Sequence, residues 1–291
     1  MDLGLAGAKA IVTGGSKGIG RATAELLAQE LCDVVIIART QDLLESTARE
    51  IASATGQVVI PIAADMSQGD QAERAFDAAV SELGGIDIMV ACAGRSPGGQ
   101  LETLTEEHWM SSLNLKFMGH LRACRAVLPQ MRQQGSGSIV LVVGNDGPKP
   151  TSWEITAGVA NAADINLASA LAEQYGRYGV HINTVNPGPV ATERWDGLEK
   201  ALARDKGISQ ADAHEIALGS LPFRRICEAS EVANVVVFLA SPRASYVNGA
   251  HVLVDGAQQK GLLELSHVAD GFGAESPRPN GLQVPAEAKA K

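Results

Sequence analysis

Thr13-Gly14-Gly15-Ser16-Lys17-Gly18-Ile19-Gly20 decides how the rest of the chain is read. Ahead of it, Lys9-Ala10-Ile11-Val12 has the apolar run of a short buried strand, and behind it Arg21-Ala22-Thr23-Ala24-Glu25-Leu26-Leu27 has the spacing of a helix. Glycines between a strand and a helix let the backbone turn sharply and approach a phosphate closely. The helix start then offers free N–H groups and the positive end of its dipole. The spacing is G-x-x-x-G-x-G rather than the G-x-G-x-x-G of many dinucleotide sites. A plain βα loop also uses glycine, but the flanking strand and helix favour a phosphate site.

The same alternation continues outward. Continuous apolar runs at 34–38, 58–62, 86–90, 138–143, 181–185 and 251–254 read as buried strands. Helical spacing of apolar residues covers 43–54, 71–83, 106–131, 155–178 and 231–239. Strands without polar alternation, separated by helices, mean a parallel sheet covered on both faces. The expected fold is therefore α/β, a Rossmann-type doubly wound parallel sheet of about seven strands in a single domain. Ligands of such sheets bind beyond the carboxyl ends of the strands, where the strand order reverses. The expected domain is 1–260 with a polar lid at 193–220, and 261–291, rich in Pro, Ala and Gly near its end, reads as a tail or arm.

Composition narrows the function. Of 291 residues 45% are hydrophobic and 20% charged, a globular balance. A net charge of −9 argues against a nucleic-acid surface and against anionic membranes. No apolar run approaches a membrane span, and Met1-Asp2-Leu3-Gly4 carries no basic segment, so a cytoplasmic protein is expected. Cys32, Cys92, Cys124 and Cys227 are scattered without a C-x-x-C, which favours free thiols over disulfides or a metal site.

The loops at the strand ends carry the ligand reading. Arg39 follows the second strand, where an acid would bind the 2′-hydroxyl of NAD and an arginine pairs a 2′-phosphate. Ala38 is not acidic and Lys17 adds a second cation, so NADP(H) is expected over NAD(H), which stays possible. Asp65, next to Met66, is placed to meet the adenine amino group. Ala91-Cys92-Ala93-Gly94 is small enough to pass beneath a ribose.

With these pieces the chain resembles a short-chain dehydrogenase/reductase over residues 5–257. The matching residues are the glycine loop, Asp65, the Ala91–Gly94 run where the family has Asn-Asn-Ala-Gly, Asn114, Asn186-Pro187-Gly188-Pro189-Val190-Ala191-Thr192, and the segment 247–256. The resemblance implies an NAD(P)-dependent, mostly cytosolic oxidoreductase acting on a small carbonyl or alcohol, often a homotetramer or homodimer. It implies cofactor contacts from Gly14, Ser16, Lys17, Gly18, Ile19, Gly20, Arg39, Asp65, Met66, Ala93, Gly94, Asn161, Pro187, Gly188, Val190 and Thr192. The long helices 106–131 and 155–178, with their alanine-rich runs, suit packing between subunits.

The departures from the family pattern matter as much. The family uses Ser after the fifth strand and Tyr-x-x-x-Lys on the next helix. Tyr moves the substrate proton, Lys lowers the Tyr pKa, and Ser fixes the carbonyl. Here Tyr175, Tyr178 and Tyr246 are followed four residues on by Gly179, Ile182 and Ala250. Counting from both flanking motifs puts Gly144, Ala157 and Asn161 at the Ser, Tyr and Lys positions. Asn114, Asp146, Glu154 and Asn161 are then the candidate catalytic residues, and Gly144, Asn145, Trp153, Arg194 and Trp195 the candidate substrate contacts. Asp146 before Gly147 also suits a turn, and Glu154 a first helical turn. Three classes stay open: an oxidoreductase with a substituted proton donor, a non-redox enzyme (dehydratase, isomerase, lyase or hydrolase) using the carboxylates, and a catalytically silent binding protein.

Overall fold

A computed structural model of the chain describes residues 1–260; the tail or arm read at 261–291 lies outside the described residues. Seven strands form one sheet, β1 (Lys9–Thr13), β2 (Asp33–Ala38), β3 (Val59–Ala63), β4 (Ile88–Ala91), β5 (Gly137–Val142), β6 (Val180–Pro187) and β7 (His251–Val254). Their spatial order is β3-β2-β1-β4-β5-β6-β7, and every neighbouring pair is parallel. The order reverses between β1 and β4, so the expected switch point lies directly beside the glycine loop.

The continuous apolar strands bury both faces, as their pattern requires. Ile11, Val35, Ile37, Met89, Leu141 and Ile182 point to one face, against Phe76 of α3 (Gly69–Leu83) and Val127 and Met131 of α5 (Phe117–Gln134). Their chain neighbours Ala10, Val12, Val34, Ile36, Val90 and Val140 point to the other, against Leu27 of α1 (Gly18–Gln29), Leu44 and Ile51 of α2 (Gln41–Thr55) and Val236 of α9 (Ala229–Ala240). Phe76 is the largest fully buried side chain, and truncating such a residue to alanine costs about 3–5 kcal/mol.

One expectation is corrected. The single helix read at 106–131 is α4 (Glu106–Leu115) followed by α5, interrupted at Lys116. The ψ of Lys116 is −77°, far beyond the roughly −42° of a regular helix. Apolar spacing runs through this junction unbroken, which is why periodicity alone joins the two. The segment 193–220, read as a polar and helical lid, contains two helices, α7 (Glu193–Lys206) and α8 (Gln210–Gly219), the second opened by a reciprocal cap between Ser209 and Asp212. The long helix read at 155–178 is α6 (Ile155–Gly176).

Candidate active site

The glycine loop is shaped by contacts no side chain would allow. A Cβ on Gly20 would sit 2.3 Å from the Gly14 carbonyl oxygen, and one on Gly15 would sit 2.7 Å from Ile36 Cβ. Gly14 (φ +69°) and Gly18 (φ +52°) take left-handed backbone that favours glycine. The Thr13 hydroxyl accepts from the Cys92 and Ala93 N–H groups at 3.2 and 3.3 Å, fastening the end of β1 to the end of β4. The N-cap of α1, Lys17, makes no side-chain cap, and its first turn holds no acid, whereas α2 and α3 carry Asp42 and Asp70 there. The uncapped amides and dipole end of α1 thus suit an anion.

A cavity of about 510 Å³ opens at the carboxyl ends of the strands, running from Ile19 and Gly94 past Gly144 and Pro187 to Trp153 and Trp195. On its floor Gly144 has φ +145°, and a Cβ there would lie 2.6 Å from Asn161 Nδ2. Asn161 is fully buried in α6, one turn beyond the buried Ala157, and neither its Oδ1 nor its Nδ2 has a partner among the described residues. A buried carboxamide without partners costs on the order of 1–3 kcal/mol per group, so this side chain is set up to receive a ligand. The glycine cradle, the uncapped helix start and this orphaned amide together fit a bound dinucleotide.

The acidic group lies on the cavity wall. Asp146 is buried and forms an ion pair with Lys260, whose Nζ is also 3.9 Å from Glu154 Oε2. Glu154, at the N-cap of α6, keeps about 25% of its side chain exposed. Desolvation, followed by the neighbouring Asp146 charge and a hydrogen bond to it, pushes the Glu154 carboxyl up to about 8. At neutral pH Glu154 is therefore mostly a protonated acid inside the pocket, a state suited to giving up a proton.

The remaining predicted residues fall into distinct places. Trp153 stacks over Gly98, where a Cβ would lie 2.4 Å from the ring, and donates from Nε1 to Asp205 at 3.0 Å. Trp195 lines the cavity with a buried Nε1 that has no partner among the described residues, and Arg194 lines it from the exposed rim. Asn145 is tied to the segment after β7, donating to Gln258 Oε1 at 2.8 Å and Asp255 Oδ2 at 3.3 Å. Asn114 does not line the cavity. Its Nδ2 donates to the Ser67 carbonyl at 3.0 Å and its Oδ1 accepts from Arg122 at 2.8 Å, so it braces α4 against the loop after β3. Arg39 is exposed at the end of β2, Lys17 pairs with Glu193 at 2.6 Å, and the Asp65 carboxylate accepts from the Ser67 N–H at 2.9 Å beside the buried Met66.

The sequence model of the family described as enoyl-(acyl carrier protein) reductase matches residues 14–257. The chain is a short-chain dehydrogenase/reductase. It is 34% identical over 260 residues to an uncharacterized oxidoreductase, YvrD, of Bacillus subtilis, covering 88% of this chain and 98% of that one. It is 31% identical to the NADPH-dependent reductase BacG of the same organism, covering 87% and 98%. The solved L-sorbose reductase of Gluconobacter frateurii, complexed with NADPH and L-sorbose, superposes with a TM-score of 0.83 at 31% identity, covering 89% and 99% of the two chains.

Within this short-chain dehydrogenase/reductase, three pocket residues escaped the reading of the sequence. Lys260 and Gln258 reach the site only through the turn after β7, and no local pattern marks them. Lys116 had a visible signal, a lysine inside the apolar run Leu113-Asn114-Leu115-Lys116-Phe117-Met118, but it was absorbed into one long helix.

Proposed function

We propose that this protein is an NADP(H)-dependent reductase of a small carbonyl compound whose proton donor is the Glu154 carboxyl, with Gly144, Ala157 and Asn161 standing where its family has Ser, Tyr and Lys. The observation that carries the reading is the placement of Glu154 beside Asp146, where burial raises its carboxyl to about 8, in the same cavity as the glycine loop and the orphaned Asn161. NADPH dependence of BacG and the NADPH in the sorbose reductase structure support the choice of cofactor.

When bound, the dinucleotide supplies the hydride that reduces the carbonyl carbon. Gly14, Ser16, Gly18, Ile19 and Gly20 hold the pyrophosphate through backbone amides. Arg39 meets the 2′-phosphate, with Lys17 nearby once it leaves its exposed and therefore weak pair with Glu193. Asp65 and Met66 flank the adenine, and Ala93, Gly94, Pro187, Gly188, Val190 and Thr192 flank the nicotinamide half. Glu154 passes its proton to the carbonyl oxygen as negative charge develops there. Asp146, held in place by its pair with Lys260, opposes a second negative charge beside it and so retains the acid form of Glu154 between turnovers. Trp153 and Trp195 wall the substrate from water, and Arg194 at the rim receives a polar end of it. Four unpaired thiols support a reducing compartment such as the cytoplasm.

Calorimetric titration tests the reading. NADPH binds more tightly than NADH, and Arg39→Ala removes most of the difference, about 10- to 100-fold, since a charge-assisted contact is worth roughly 1.5–3 kcal/mol. Tighter binding of NADH, or equal weakness of both, overturns it. Turnover of substrate without added cofactor would instead favour non-redox chemistry by the two carboxylates.

A further inference from the structure

Lys116 is not used by the chemistry above, yet it is the most deeply buried lysine of the pocket, 5% exposed. It sits at the break between α4 and α5. Its stem lies along the end of β4, so that a Cβ on Gly94 would come within 3.2 Å of Lys116 Cγ. Its head crosses to the end of β5 and donates to the Val143 carbonyl at 3.0 Å. An ammonium carries three N–H donors, and the other two have no acceptor among the described residues. Immediately beside Val143, across Gly144, lies the Asn161 carboxamide, also without partners.

A lysine retained only to pack the helix junction would be better replaced by methionine, because burying an ammonium costs several kcal/mol. Lys116 and Asn161 instead line the same cavity, one bonded to Val143 and the other against the adjoining Gly144. Lys116 offers donors only, whereas Asn161 offers a donor and an acceptor. An anion there would face Asn161 Oδ1 and the nearby carboxylates of Asp146 and Asp164. A pair of neutral hydroxyls satisfies both side chains. In a doubly wound sheet the dinucleotide crosses the switch point, here between β1 and β4. With the 2′-phosphate at Arg39 beyond β2, the other half of the cofactor reaches the ends of β4 and β5, where Lys116 lies.

We propose that Lys116 and Asn161 together grip the vicinal hydroxyls of the nicotinamide ribose, Lys116 delivering from the α4–α5 junction the buried positive charge that position 161 lacks. This rests on the NADP(H) reading above. His120 and Asp164, one turn further along the two helices, form a buried pair at 2.9 Å that joins α5 to α6.

The experiment compares NADPH with adenosine 2′,5′-bisphosphate, which keeps only the adenosine half, by calorimetry on the full chain. Lys116→Met is expected to weaken NADPH about 10- to 100-fold, the loss of a hydrogen bond from a charged donor, and to leave the fragment within about twofold. Unchanged NADPH affinity, or an equal loss for both ligands, overturns the inference while the cofactor reading stands. Failure of the wild type to bind either ligand overturns both. A measurement that needs no change at Lys116 keeps the test open if Lys116→Met does not fold. Burial, with Arg194 adding to it, lowers the Lys116 ammonium to about 8, against the opposing pull of Asp164, Asp146 and Glu154. In a Glu154→Gln background, which removes the other group titrating in that range, the ratio of NADPH to fragment affinity falls from about pH 7 to about pH 9.5 as the ammonium is lost. A flat ratio refutes the assignment.

Discussion

At the scale of single residues, one pocket carboxyl makes a distinct contribution to the pH behaviour of the molecule. Glu154 is raised from the ordinary carboxylate range to about 8, first by desolvation and then by Asp146. Between those two values the folded chain holds a proton that the unfolded chain has released. Stability therefore falls as pH rises across that window, and the loss is complete and flat above about 8. Glu154→Gln removes the titration, so chemical denaturation at a series of pH values should show the variant gaining on the wild type across the window and running parallel to it above. The gain is partial, because the side chain keeps about 25% exposure and Lys260 stands nearby. Catalysis should move the other way. Glutamine cannot release a proton, so turnover falls about 10²–10⁴-fold at neutral pH, the usual worth of a general acid. Wild-type turnover should decline as pH passes about 8. A variant with undiminished turnover would remove Glu154 from the reaction.

At the scale of elements, the glycine loop shows how local contacts fix a site. A Cβ on Gly20 would lie 2.3 Å from the Gly14 carbonyl oxygen, which is backbone and has nowhere to go. Gly20→Ala should therefore abolish measurable NADPH binding and lower Tm by several degrees, each kcal/mol being about 2–4 °C in a domain of this size. Retained binding with an unchanged Tm would mean that the loop yields more freely than its contacts imply. This loop, the succession of seven strands and the two buried faces were legible in the sequence because each depends on residues close in the chain: glycine spacing, apolar runs and helical periodicity. The break at Lys116 was not, since apolar spacing carries straight through a distortion in ψ. Nor was the role of Asn114, whose partners Ser67 and Arg122 belong to other segments, nor the approach of Lys260 to Asp146 over 114 positions of chain. Sequence pattern places Asp146 and Glu154 near the pocket, but the acid form of Glu154 follows from burial and the neighbouring charge, which only the assembled fold supplies.

At the scale of the whole molecule, the surface carries a reason to associate. Among the described residues the β7 edge of the sheet is unpaired on its outer side. Around it α9, the turn before β7 and β7 itself expose Phe238, Tyr246 and Leu253, the tyrosine completely. On α6, Val159 is exposed in a helix otherwise rich in alanine, whose small side chains permit close approach of another helix. A free strand edge flanked by apolar side chains is a template for self-pairing unless it is covered. A second copy of the chain would cover it symmetrically, and two such dimers packed through α5 and α6 would close a tetramer, since closed point groups exhaust such surfaces. Sedimentation velocity at micromolar concentration should accordingly give a dimer or tetramer. Tyr246→Asp with Leu253→Asp should shift it at least one step toward monomer, because two carboxylates would face their own copies across the axis. A monomeric wild type would overturn this reading. A charged variant that dissociates yet binds NADPH normally would show that each copy holds a complete cofactor site, as the position of Arg39, Lys116 and Asn161 within one chain implies.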